Sequence, residues 1–149
     1  SMDKHIVHQT VEAKIRSRIT DLQFALNDAM EATSDDSKST AGDKHETSRA
    51  MAHLEQEKLG NQYSEAIKLL EILHRIDPSI NTNTIRIGSL VETSMGWFYL
   101  SVGLGQIVID GKTVFCLTPL APFGQLLLGK KTGDQLEWQG KEVKLLEVI

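Results

Sequence analysis

Two long runs of helical period, separated by a polar interval, constrain this chain more than any other feature. In "KHIVHQTVEAKIRSRITDLQFALNDAMEA" the apolar residues Val11, Ile15, Ile19, Leu22, Leu26 and Ala29 recur at spacings of three and four, with Glu, Arg, Lys and Asp on the remaining faces. A second run, from about Lys44 to Ile76, holds no proline and a single glycine, and Ala66, Leu69, Leu73 and Ile76 again step by three and four. Pro78 in "IDPS" ends it, because proline biases the residue before it away from helix. Each helix spans roughly 45 Å at 1.5 Å per residue. Helices this long, each with a narrow stripe, bury it most simply against one another, as an antiparallel coiled-coil hairpin. Positions 33–42 then fall at its tip.

That tip is acidic. Asp43 and Glu46 follow Asp35 and Asp36 closely, and a turn needs polar residues but not four carboxylates. Asp43-x-x-Glu46 has the spacing of a capping box, in which the Asp satisfies a free backbone N–H and the Glu reaches back. From Asp35 to Glu46 an acid also stands at each end of a 12-residue interval, as in a calcium-binding EF-hand, but the sixth position is Thr40 instead of glycine and the flanking helices are far too long. His5 and His8 lie one turn apart near the start, no His-Glu-x-x-His occurs, and both are expected at a frayed end without a metal. Lys14, Arg16, Arg18 and Arg49 are expected on solvated helix surface, with a basic face along the hairpin as the alternative.

Past "DPSINTNT" the period changes. The β-branched and alternating runs "TIRIGSLVET", "WFYLSV", "QIVID", "KTVFCLT", "DQLEW" and "KEVKLLEVI" predict five or six strands. Asp110-Gly111 separates two of them and is the strongest hairpin signal in the chain; Gln139-Gly140 turns another. Pro122 suits a first helical position, "FGQLLL" supplies a turn or two, and Gly129 stops it. A unit of about 70 residues has room for one small core. Trp97, Phe98, Phe115, Leu126 and Trp138 are expected to fill it. The fold class is therefore α+β, with a hairpin over 1–77, a linker over 78–83 and a sheet domain over 84–149.

Composition narrows the function classes. With 40% hydrophobic and 24% charged residues in 149, the chain is ordinary for a folded domain, and a net charge of −4 implies no nucleic-acid-coating surface. Cys116, the single cysteine, excludes an intramolecular disulfide and reads as an inert strand residue. No apolar run approaches the roughly 20 residues of a membrane span. Nothing at the N-terminus resembles a signal peptide, so a cytoplasmic monomer is expected.

The order of these parts, with the residues they carry, resembles the Gre transcript-cleavage factors of bacterial RNA polymerase. Gly42-Asp43 and Glu46 match the family's Gly-Asp-Leu-Ser-Glu-Asn tip. "GSLV" at Gly88 to Val91, "YLSVG" at Tyr99 to Gly103, and "LTPLAPFGQLLLGKKTGDQL" from Leu117 to Leu136 look like its Gly-Ser-x-Val, Tyr-x-Ile-Val-Gly and Ile-Ser-x-x-Ser-Pro-x-x-x-x-Leu-x-Gly-x-x-x-Gly-Asp segments. The resemblance covers nearly the whole chain in the same order. It implies an FKBP-like sheet domain that docks at the rim of the polymerase's secondary channel, and a hairpin that enters the channel toward the RNA 3′ end. It also implies that Asp43 and Glu46 hold a Mg²⁺ shared with the polymerase, while the factor alone is no enzyme. The chemistry suits carboxylates, because a two-metal site stabilises the attacking and leaving oxygens and Mg²⁺ prefers oxygen ligands.

The tip departs from that pattern at Lys44-His45, between the acids, and at Thr47-Ser48-Arg49-Ala50 after them. Leu104-Gly105-Gln106 also replaces the family's Glu-Ala-Asp. Positive groups beside the acids would weaken a cation or contact RNA phosphate, and Asp35 and Asp36 are additional acids. An inhibitor that occupies the channel without stimulating cleavage is therefore the alternative. The "PFGQLLLGKKTGD" run resembles FKBP-type prolyl isomerases as well, which depend on an aromatic-lined pocket.

Overall fold

The computed structural model describes residues 2–37 and 42–149, and of residues 33–37 and 42–45 it describes the backbone alone. The chain is α+β. Helices α1 (Lys4–Ser37) and α2 (Gly42–His74) precede strands β1 (Leu90–Thr93), β2 (Gly96–Leu100), β3 (Gly105–Ile109) and β4 (Lys112–Leu117). A short helix α3 (Pro122–Leu127) and strands β5 (Gln135–Trp138) and β6 (Lys141–Val148) complete it. Two compact units divide these elements: Ser1–Lys14 with Leu69–Ile149, and Ile15–Lys68.

The unit Ile15–Lys68 is the helical hairpin. Along α1, burial falls on Ile15, Ile19, Leu22, Leu26 and Ala29; along α2 it falls on Arg49, Ala52, Gln56, Leu59, Tyr63 and Ala66, the alternating three-and-four step of a coiled-coil seam. Two hydrogen bonds fix the register. Gln23 Nε2 donates to Tyr63 Oη at 3.3 Å, and Gln56 Nε2 donates to the Ala29 carbonyl at 3.1 Å. Six residues forward on α1 thus correspond to seven back on α2, as antiparallel neighbours require. The helical backbone also runs farther than the polar interval suggested, since α1 persists through Ser37. No glycine or proline interrupts residues 33–37, and Ser and Asp cost a helix at most about 0.7 kcal/mol each.

The other unit is a six-stranded sheet in the order β3-β4-β2-β1-β6-β5. Every neighbouring pair is antiparallel except β2 with β4, which run parallel with Phe98 opposite Phe115 and Tyr99 opposite Cys116. Both expected two-residue turns are present. Asp110-Gly111 and Gln139-Gly140 hold positive φ at both positions, 50° and 76°, then 50° and 78°, the type I′ geometry whose twist matches its flanking strands. The run "TIRIG" is not strand: Gly88 turns at φ 91°, and β1 begins only at Leu90.

β4 lies at one side of the sheet and β5 at the opposite edge, so the chain crosses one face between them and α3 covers that face. Phe123 and Leu127 enter a core with Ile85, Val91, Phe98, Leu100, Leu136, Val143 and Leu145. Phe98 stacks on Phe115 at 5.3 Å and meets Phe123 at 4.8 Å, and Phe123 meets Trp138 at 5.1 Å. Leu126 corrects the expected core list, being 36% exposed, because so short a helix presents only Phe123, Gly124 and Leu127 inward. On the opposite face, Trp97 and Tyr99 of β2 lie beside Val114 and Cys116 of β4, all buried. Burial on both faces explains why "WFYL" is continuously apolar.

Candidate functional site: the acidic end of the helical hairpin

Of the four acids singled out in the sequence, Asp35 and Asp36 stand in the last helical turn of α1 and Asp43 in the first turn of α2 by backbone, and their side chains lie outside the described residues. Glu46 is described and exposed, and among the described residues no hydrogen bond or ion pair ties its carboxylate. An exposed carboxylate near a helix start offers oxygen, the ligand atom a hard divalent cation takes. No group of three or more His, Cys, Asp or Glu gathers around a common point among the described residues.

Arg49 differs from expectation. It stands at a seam position, half-buried, with its Nε shielded from solvent. Lys14 is not free surface either, since its Nζ donates to the Gln106 carbonyl at 2.7 Å. Farther along the hairpin, Thr20, Gln23, Phe24, Asn27 and Met30 of α1 and Tyr63 of α2 line an open groove of about 520 Å³, with Phe24 69% exposed.

In the sheet-bearing unit the start of α1 is not frayed. Lys4 is buried and its Nζ donates to the carbonyls of Ile80 at 2.8 Å and Ile149 at 3.2 Å. His8 Nδ1 lies 2.7 Å from Tyr99 Oη, also buried. Burial lowers the Lys4 pKa, with Arg86 adding to the effect and Asp77 opposing it, and burial likewise raises that of Tyr99. Lys4, His8, Val11 and Ile15 fall at helical spacing, so the stripe seen from Val11 onward extends back through two polar residues. Apolar periodicity alone hid them. Asp77 accepts from the Ser79 backbone N–H at 2.9 Å and the Ser79 hydroxyl at 2.6 Å, which closes the turn after α2 and holds the Asp77 carboxyl below its usual pKa.

Cys116 is buried on β4, and burial pushes its thiol up to about 12. It stays protonated, without the thiolate that reactivity requires. The two cavities described on this unit, about 150 Å³ beside Ile6 and Ile109 and about 330 Å³ beside Lys4 and Asn81, carry no Phe, Tyr or Trp side chain. The aromatic residues pack instead against one another in the core. No described helix is long and apolar enough to cross a membrane.

No protein-family model and no curated protein matches the chain. Among solved structures, one described as "Structure of the transcription factor Gfh1" is similar over 93% of this chain and 93% of its own, with 17% sequence identity and a TM-score of 0.40.

Proposed function

We propose that this protein binds bacterial RNA polymerase and modulates elongation from within the secondary channel, docking through its sheet-bearing unit and presenting the acidic end of the hairpin to the catalytic centre. The observation that carries this reading is the carboxylate of Glu46, exposed near the start of α2 and without a bond among the described residues, at the acidic end of an antiparallel hairpin that the sequence likens to the Gre factors. In the leading form, Asp43 and Glu46 supply oxygen ligands to a Mg²⁺ shared with the polymerase and orient the water that cleaves backtracked RNA. A cation held there would stabilise the attacking and leaving oxygens of the displacement. The protein's part is delivery and orientation, so the chain alone has no nuclease activity.

A second reading, occupation of the channel without stimulated cleavage, is favoured by Arg49, which brings a guanidinium to the acidic end. The prolyl-isomerase reading loses support from the sheet itself, since Phe98, Phe115, Phe123 and Trp138 fill the core. The deciding experiment is RNA cleavage on backtracked elongation complexes of the cognate polymerase in Mg²⁺, with and without the protein. Faster release of short 3′ fragments supports the leading form. Slowed elongation or protection from a cleavage factor supports the second. A polymerase unaffected in every respect defeats both.

A further inference from the structure

One face of α1 is buried in the hairpin and another is open. Ile15, Ile19, Leu22, Leu26 and Ala29 turn into the seam, whereas Arg16, Thr20, Gln23, Phe24, Asn27 and Glu31 step by three and four along a different face and are all exposed. Phe24 is 69% exposed, and Met30, which lines the same open groove, is 60% exposed. Large apolar side chains gathered in water mark a contact surface.

The charges along this face indicate what covers it. Arg16 stands at one end and Glu31 at the other, about 22 Å apart along the helix axis, and Gln23 and Phe24 lie midway. A second α1 laid antiparallel across that midpoint brings Arg16 against Glu31 at both ends, Thr20 against Asn27, and Gln23 against Phe24. That is the isologous contact of a two-fold pair. A parallel copy would instead set Arg16 on Arg16 and Glu31 on Glu31, and a polyanion would meet Asp21, Asp28 and Glu31, all exposed. We propose that the face of α1 from Arg16 to Glu31 is a self-association surface, on which two copies of this chain pair antiparallel with Phe24 of each packed against α1 of the other. So short a contact supports a transient pair, and the monomer expected from the sequence is its dilute form. The inference stands on the chain alone and does not need the proposed function.

The test is sedimentation equilibrium of the whole chain without polymerase, at low salt, from micromolar to millimolar concentration. The mass should rise from one chain toward two, and added salt should lower it. Phe24→Gln should weaken association at least about tenfold while leaving helix content by circular dichroism unchanged, since this side chain lies outside the seam. Arg16→Glu and Glu31→Arg should each weaken pairing alone, yet a mixture of the two variants should dimerise again, because each then carries the charges that the other lacks. A merely structural effect of either substitution would not be repaired by mixing. A chain monomeric throughout, pairing indifferent to Phe24→Gln, or mixed variants no more associated than either alone would overturn the proposal. A dimer found together with no effect on backtracked complexes would remove the proposed function and leave this surface standing.

Discussion

His8 lies where the cationic imidazole is hardest to hold. Burial lowers its pKa first, with His74 and His5 adding to that, while Glu12 and Asp77 pull it back up; Tyr99 Oη takes its Nδ1. The fold thus holds the neutral ring, whereas the unfolded chain titrates near the usual value of about 6.5. The stability this provides is present above that pH and is lost as pH falls through it toward the lower folded value. Thermal midpoints should drop between pH 7 and pH 5, less steeply in His8→Gln, and equal slopes would contradict this assignment. Gly124 gives the second test. Alanine is ordinarily better than glycine within a helix, but here a methyl would overlap the Thr118 carbonyl oxygen and lie 3.2 Å from Pro119 Cα. Gly124→Ala should therefore destabilise by about 1–3 kcal/mol in urea unfolding, and a neutral or stabilised variant would show that α3 shifts freely.

The hairpin's seam is uneven along its length. Leu59, Tyr63 and Ala66 make one stretch of α2 mostly apolar, whereas Arg49, Ala52 and Gln56 give the stretch nearer the acids little apolar area. A fully buried leucine stabilises by about 1.5–3 kcal/mol, and helices lacking such packing are marginal in water. Amides over residues 46–56 should exchange at least about tenfold faster than those over 59–66, a gap of about 1.4 kcal/mol in opening free energy. Uniform protection would refute the contrast. The two helices, the hairpin turns and the short helix were legible because each rests on local chemistry: stripes, Asp-Gly, and proline before glycine. What was hidden depends on distant partners. Lys4 and His8 look like frayed surface until Ile80, Ile149 and Tyr99 are placed beside them, and Arg49 looks solvated until α1 faces it. Of the candidate site, the sequence identified Glu46, but its open carboxylate is a matter of conformation.

The acids and the sheet belong to different units. If the sheet-bearing unit docks and the acids act, Asp43→Ala with Glu46→Ala should abolish cleavage stimulation yet leave polymerase affinity within a few-fold, measured by retention on immobilised core enzyme. Collapse of binding would refute that separation of roles. The sheet-bearing unit is itself discontinuous, drawing residues 1–14 together with residues 69–149. Lys4 bonds across 145 positions to Ile149 and His8 across 91 to Tyr99, while the hairpin joins residues that are near in sequence. Pairings of such long separation carry the largest loop-closure entropy and form late. On the ribosome, the first turns of α1 must therefore wait for the last strand to emerge. The hairpin can zip while synthesis continues, whereas His8 and Lys4 stay short of a partner until Tyr99 and then Ile149 have been added, so a stalled chain would hold two polar groups made ready for burial but still in water.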